Sequence, residues 1–300
     1  MKTVFASAAD ERYGVLLLNL LGSVKANSDV FDAIVVYDLG LSPRQRRLID
    51  SVRGVEVRTV PPFVPHWKQG RTWKTWIWTH LEADTVFWLD AGASVLRSLR
   101  EPLAQVAERG YFVVGVGQSL GPSIPSDYFP LYDLPPDLGA REAITAGILA
   151  FDTRHAFYEQ VIEPTYEDAC RGRSLGFSEG EAEKFNHALD RMEEPLIRDC
   201  PRFRHEQTLL GIHFYGAVDE PCVNDVFEYG GFSSPKDHPE QLIWNHRRRA
   251  DFRYLPRVPY KRGSRLFGWS FTARYLFKSW RRSHGWRLKP ATYLRRLRRR

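Results

Sequence analysis

The stretch TVFWLDAGASVL, residues 85–96, is an apolar run that stops on one carboxylate, Asp90, and then turns through Ala91 and Gly92. A buried strand that ends in an acid usually aims that acid at something. Two earlier apolar runs finish in the same manner. KTVFASA opens into Ser7–Asp10, and DAIVVYD closes on Asp38. Polar groups placed after successive parallel strands converge on one sheet edge, which is where such sheets bind ligands. The competing reading is that Asp38 and Asp90 only form turns or cap helices. The turn after the first run, SAADERYG, lacks the G-x-G-x-x-G of a dinucleotide fold, and no G-x-x-x-x-G-K-[ST] occurs in the chain. GVGQSLG (residues 115–121) has the wrong spacing and runs into PSIPSDYFP, which cannot continue as a helix. A nucleotide-type ligand would therefore be held by side chains, or by a cation, and not by a glycine cradle.

The elements that would position these groups alternate. Lys2–Ala8 is β-rich, and Tyr13–Lys25 carries a long helix-like apolar face. Asp32–Asp38 is a second strand. SPRQRRLIDSVRG follows, with Ser42 as N-cap, Pro43 at the first helical position and Gly54 closing the segment. VEVRTVP is a third strand, and a Trp-rich helix spans Thr72–Leu81. TVFWLD is a fourth strand, Ser98 and Glu101 form a capping box, and YFVVGVG is a fifth strand. Strands separated by helices imply βαβ units and an α/β fold with a mostly parallel, Rossmann-like central sheet.

Composition bounds the rest. The 300 residues are 43% hydrophobic and 13% aromatic, enough for a core and against wholesale disorder. Cys170, Cys200 and Cys222 are odd in number and lack C-x-x-C spacing, which argues against a disulfide framework or a zinc site and suits a reducing cytosol. VLLLNLLGSV is too short to span a bilayer, and Asp10, Glu11 and Arg12 before it do not read as a secretory leader.

Charge is uneven. Of 43 Lys and Arg, 19 lie in residues 241–300, against Asp251 as the one acid there, so a mildly acidic 1–240 body precedes a basic 241–300 extension. Aromatics interleave with the cations at Phe267, Trp269, Phe271, Tyr275, Phe277, Trp280, Trp286 and Tyr293. Leu266, Trp269, Ala273, Leu276, Phe277 and Trp280 recur at helical steps. This pattern favours an anionic membrane surface over nucleic acid as the tail's partner, with ordinary packing onto the body as the alternative for residues 241–270.

The order VFASAADERYGVLLLNLLGSVKAN, DAIVVYDLGLSPRQRRLI, WKTWIWTHLEADTVFWLDAGASV, TAGILAFDT and HEQTLL resembles nucleotide-sugar glycosyltransferases of the GT-A fold, and is most similar to family 8 and uncharacterised relatives. The resemblance covers roughly residues 2–210. It implies that Ala6, Ser7, Asp10 and Tyr13 line the nucleoside pocket and that Lys74 contacts the donor phosphates. It equates Asp90 with the first acid of a D-x-D motif that holds Mn²⁺ or Mg²⁺, the second acid being Gly92 here. It sets Gly147 of TAGILAFDT near the sugar, with Thr145 in place of the family's Asn. Glu206 and Gln207 fall at the position of an Asp-Gln pair beside the anomeric carbon. HFYG copies a His-Phe-x-Gly metal motif, but QTLLGIHFYGA reads as one helix, which argues against His213 as a ligand. His238 and His246, in DHPEQLIWNHRRR, are alternative candidates for that ligand, and the same stretch could close the pocket with Arg247–Arg249 reaching the diphosphate.

Three arrangements fit Gly92. Asp90 ligates a metal with the phosphates completing its shell; the site works without metal, using Lys74 and other cations; or the domain binds without turnover. The expectation is a cytoplasmic glycosyltransferase, peripheral on the inner membrane face. It would move a sugar, with retention, from a nucleotide-diphosphate donor of the UDP kind to a glycan or lipid-linked acceptor. A non-catalytic sugar-nucleotide or glycan-binding relative is the alternative.

Overall fold

In β1 (Thr3–Ala9), Phe5 and Ala9 face one apolar layer, while Val4, Ala6 and Ala8 face another. In β4 (Thr85–Leu89), Phe87 and Leu89 likewise oppose Val86 and Trp88. Strands that are apolar on both sides must be covered on both sides. The computed structural model, which describes residues 1–178, 196–232, 234–246 and 252–284, shows how.

The chain runs β1, α1 (Gly14–Asn27), β2 (Ala33–Asp38), α2 (Pro43–Asp50), β3 (Glu56–Thr59), α3 (Thr72–His80), β4, β5 (Ala93–Val95) and α4 (Arg100–Arg109). It continues with β6 (Tyr111–Ser119), α5 (Tyr128–Leu131), β7 (Glu142–Asp152), α6 (Glu163–Cys170), β8 (Phe177–Ser178) and β9 (Ile197–Arg198). Then come α7 (Glu206–Ala217), α8 (Val226–Tyr229), β10 (Ile243–Asn245) and α9 (Arg265–His284). Residues of α1, α2 and α4 pack on the Phe5–Phe87 face; those of α3, α7 and the π-helical turn Tyr158–Ile162 pack on the Val4–Trp88 face.

The main sheet has the order β3-β2-β1-β4-β7-β6. Its first four strands are mutually parallel, and β7 runs antiparallel to both β4 and β6. The mixed α/β architecture with a mostly parallel sheet between helices is thus the one the strand–helix alternation implied. Its order reverses at β1 and β4: the chain steps outward through β2 and β3, then returns to the other side of β1. Such a switch point opens a crevice beyond the carboxyl ends of the strands.

Local signals held in part. Ser42 Oγ accepts from Gln45 N, the Gln45 side chain accepts from Ser42 N, and Pro43 follows the cap. The helix ends at Asp50 with Ser51 as its cap, however, and Gly54, at φ +68°, serves the later turn into β3. The box at Ser98 does not form. α4 starts after Leu99, and the Glu101 carboxylate is taken by the Tyr229 hydroxyl instead.

The C-terminal segment is built into this body as far as the described residues reach. β10 pairs antiparallel with β5, and Tyr260, Leu255, Val258 and Phe271 join the core under α1. Asn19 links the two by donating to Ser94 Oγ and accepting from Tyr254 N, and His246 Nε2 lies 3.0 Å from Ser94 Oγ. Arg247–Arg249, Trp286, Tyr293 and the Trp280 side chain lie outside what the structure describes. No helix among the described residues is long and apolar enough to cross a membrane.

Gly22 is the tightest point of this seam, since a Cβ there would stand 2.2 Å from the Tyr254 carbonyl oxygen. Alanine normally favours a helix over glycine by ~1 kcal/mol. Here Gly22→Ala should instead destabilise the fold by about 1–3 kcal/mol through overpacking. Urea unfolding measures the loss, and limited proteolysis should show earlier cleavage after Asn245. An unchanged or raised midpoint would contradict the packing described.

Candidate active site

Asp90 is two residues beyond Trp88, and strand parity puts both on the α3 side of the sheet. On α3, Lys74 shares a face with Ile77 and Trp78, at the i, i+3, i+4 spacing, and is turned inward with them. The two residues meet. Lys74 Nζ lies 2.9 Å from Asp90 Oδ1 and 2.8 Å from Glu206 Oε1, and donates to the Ala146 carbonyl at 3.3 Å. The rings of Trp73 and Trp88 lie 5.9 Å and 5.7 Å from the ammonium. Lys74 is only 1% exposed.

Arg71, at the entry to α3, adds a second cation, with its guanidinium 3.5 Å from Glu206 Oε2. The four charges are arranged in two tiers. Lys74 and Glu206 are enclosed, whereas the side chains of Asp90 and Arg71 are 34% and 48% exposed. Burial alone would raise the Asp90 carboxyl. The charge and hydrogen bond of Lys74, then Arg71 and the Trp88 indole N–H at 3.0 Å, outweigh it and hold the group below the ordinary aspartate range. Its contribution to stability is therefore full above the unfolded-state pKa of ~3.9 and is lost as pH falls through the lower folded value. Arg71 is held protonated, first by Glu206 and further by Asp90 and Tyr13.

Backbone strain marks the same place. Among the described residues three non-glycines have positive φ, and two of them, Arg71 (+54°) and His205 (+55°), stand directly before α3 and α7. Each leads a helix whose first turn supplies a charge to the cluster. Strain of ~1–3 kcal/mol per residue persists only where the surroundings enforce it, and it gathers at functional sites. His205 is fixed by Nδ1 at 3.1 Å from the Ser174 carbonyl.

From β7, Gly147 O accepts from Asp90 N at 2.9 Å, and Gly147 N donates to Thr145 Oγ1 at 3.0 Å. A Cβ at Gly147 would lie 3.0 Å from Asp90 Oδ2, so the glycine is what lets the carboxylate lie flat on the strand. Asp10 and Tyr13 follow β1 on the same sheet edge. Asp10 Oδ1 accepts from the backbone N–H of Arg12 and of Tyr13, forming the turn into α1, and Tyr13 is exposed.

Several expected placements change. Ala6 and Ser7 offer no surface to a ligand: both are fully enclosed, and Ser7 Oγ donates to the Leu89 carbonyl, tying β1 to β4. Lys74 cannot touch phosphates from its enclosed position, and its hydrogen-bonding partners are Asp90, Glu206 and Ala146. Glu206 is fully buried beneath them and cannot reach a sugar, whereas its half-buried neighbour Gln207 lies on the same first turn of α7. Asp38 is a turn-former, accepting from Gly40 N and Leu41 N and pairing with Arg46. His213 pairs with Asp168 at 2.8 Å, in a cluster that also holds Tyr132 and Arg173. His238 stacks on Phe227. Among the described residues, no three His, Cys, Asp or Glu side chains gather as a metal's ligands would. Arg71 and Trp88 are the members that the motif reading missed.

No family model matches the chain, and no curated protein matches it. Solved structures do. A galactosyltransferase, LgtC, in complex with donor and acceptor sugar analogues is 16% identical, covering 80% of this chain and 86% of its own, at a TM-score of 0.43. WbbM, a bifunctional glycosyltransferase, is 12% identical over 90% of this chain and 51% of its own, with a TM-score of 0.49. The glycosyltransferase GlyE of Streptococcus pneumoniae is 13% identical over 76% and 46%, with a TM-score of 0.41. At such values the functional reading has to rest on the site's own geometry.

Lys74→Met should destabilise the protein by ~3–5 kcal/mol, because Glu206 is left as a buried charge without its nearest partner. Lys74→Met combined with Glu206→Leu should recover most of that loss in urea unfolding. A double variant as unstable as the sum of the single ones would show that the pair is not the coupled unit described.

Proposed function

We propose that this chain is a glycosyltransferase that moves a sugar from a nucleotide-diphosphate donor to a glycan or lipid-linked acceptor. The observation that carries the reading is the charged cluster at the carboxyl ends of β1 and β4, where the strand order reverses and ligands of such sheets bind. The Asp90 side chain is partly exposed and is held by Lys74 and Trp88 through Oδ1, which leaves Oδ2 without a side-chain donor. Gly147, buried beside it, has no Cβ to press on that carboxylate. In the transfer the bond from the anomeric carbon to the diphosphate breaks, a bond to an acceptor hydroxyl oxygen forms, and that hydroxyl's proton passes to an oxygen of the departing diphosphate. Fixed charges at such a site stabilise the separating charges without reorganising. The UDP donor class and retention of configuration follow from the resemblance in motif order, as does the place of Gln207 beside the anomeric carbon.

A second reading, binding of a sugar nucleotide without turnover, is favoured by one observation: Glu206 is spent on Lys74 and Arg71 and fully enclosed. Incubation with a panel of UDP-sugars and acceptor glycans, following UDP release, separates the two. Transfer should occur with at least one donor, and Asp90→Asn should lower it by about 100-fold or more. Nucleotide binding without release from any donor would favour the second reading.

We also infer that the protein works peripherally on the cytoplasmic face of a membrane, docked through α9. Leu266 and Trp269 are 89% and 68% exposed on this helix, and Phe277 is exposed further along it. An apolar cavity of about 200 Å³, lined by Leu255, Pro256, Tyr260, Trp269, Ala273 and Leu276, opens beside them. Lys261, Arg262, Arg265 and Arg274 are exposed around this face, and the basic sequence continues to Arg300. Each cation near an anionic surface contributes ~1 kcal/mol. Leu266→Glu with Trp269→Glu, which spares the buried Phe271, should abolish cosedimentation with anionic vesicles. Binding to duplex DNA, with no binding to vesicles, would contradict the membrane assignment.

A further inference from the structure

Resting on the nucleotide-sugar reading above, we propose that this site binds its nucleoside diphosphate without a divalent cation, and that Arg71 is the side chain that meets the diphosphate. The cation implied by the resemblance does not fit the donor set. The usual pair of carboxylates is reduced to Asp90, because position 92 is glycine. One of Asp90's oxygens already accepts from Lys74 and from the Trp88 indole. Mg²⁺ and Mn²⁺ take six oxygen ligands in an octahedral shell, filled at nucleotide sites by one or two carboxylates, the phosphates and water; here one oxygen of Asp90 would be the sole carboxylate ligand, on a group already neutralised by Lys74.

Electrostatics point the same way. A dication on the free oxygen of Asp90 would have the Lys74 ammonium across the same carboxylate, 2.9 Å from its other oxygen, with Arg71 close by. Lys74 cannot withdraw, since it is enclosed under two indole rings and bound to Glu206 at 2.8 Å. The cluster already contains two cations for two carboxylates.

Of those two cations only Arg71 is accessible. Its backbone lies in the left-handed region at φ +54°, directly after Gly70 at φ +50°. Gly70 must be glycine there, because a Cβ would stand 2.4 Å from the Ser174 carbonyl oxygen. At this strained corner the Arg71 side chain stays half exposed, and Glu206 at 3.5 Å steadies its guanidinium. A guanidinium offers a planar fork of N–H donors that matches phosphate oxygens two at a time, which an ammonium does not. Glu206 then acts as a positioning residue for both cations.

The test is calorimetric binding of UDP and of GDP, each in excess Mn²⁺, in excess Mg²⁺ and in EDTA, for the wild-type chain and Arg71→Asn. Asparagine tolerates the left-handed backbone and so removes the guanidinium while sparing the turn. Thermal unfolding confirms that the variant is folded. The expected result is one nucleotide bound with the same affinity, within about twofold, in all three media, and about tenfold or more weaker in the variant, as for loss of a charge-assisted contact. Affinity that rises tenfold or more with either metal overturns this inference and leaves the transferase reading standing. So does undiminished affinity in folded Arg71→Asn. Failure of both nucleotides to bind in any medium overturns the transferase reading and this inference together.

Discussion

Everything at the carboxyl edge of this sheet depends on one buried ammonium. Lys74 is enclosed between two carboxylates, and the stability of that arrangement comes from pairing, since an isolated charge at such a depth costs several kcal/mol. Once Lys74 is fixed, Asp90 has an orientation, Glu206 has a reason to be buried, and Arg71 has an anchor. The helices bearing the two cations and the buried acid are tied to the strand end through a single atom. Both helices are entered through strained residues, so their first turns cannot slide without releasing the contacts that hold the strain.

Much of the fold was legible because periodicity carries it. The two-sided apolar character of VFASA and TVFWL requires helices on both faces, and the order of strands and helices follows from Gly, Pro and Ser punctuation. The failures have physical causes. Ser98 and Glu101 have the spacing of a capping box, but a box is a local preference, and the Tyr229 hydroxyl, 128 residues away from Glu101 in sequence, took the carboxylate. The antiparallel insertion of β7 between β4 and β6 is a long-range choice that no local pattern encodes.

The site was legible in its membership but not in its depth. Motif order names Lys74, Asp90, Gly147 and Glu206, and the fold brings them together. Which of them a ligand can touch is set by burial, and burial depends on neighbours such as Trp73, Trp88 and the β7 backbone. Lys74 and Glu206, expected to contact the donor, lie enclosed beneath Asp90 and Arg71. Ser7, expected in a pocket, points to the α1 side of the sheet and binds a neighbouring strand. Trp88 could have been found from parity alone, two residues before Asp90. Arg71 could not, because a left-handed arginine leaves no mark in composition or spacing.

The most direct test of the central claim is a crystal structure of the protein with UDP. The nucleotide should lie between the carboxyl ends of β1 and β4, its diphosphate beside Arg71, with Lys74 still bridging Asp90 and Glu206. A nucleotide bound elsewhere on the sheet, or a Lys74 drawn out of its place by the ligand, would contradict it.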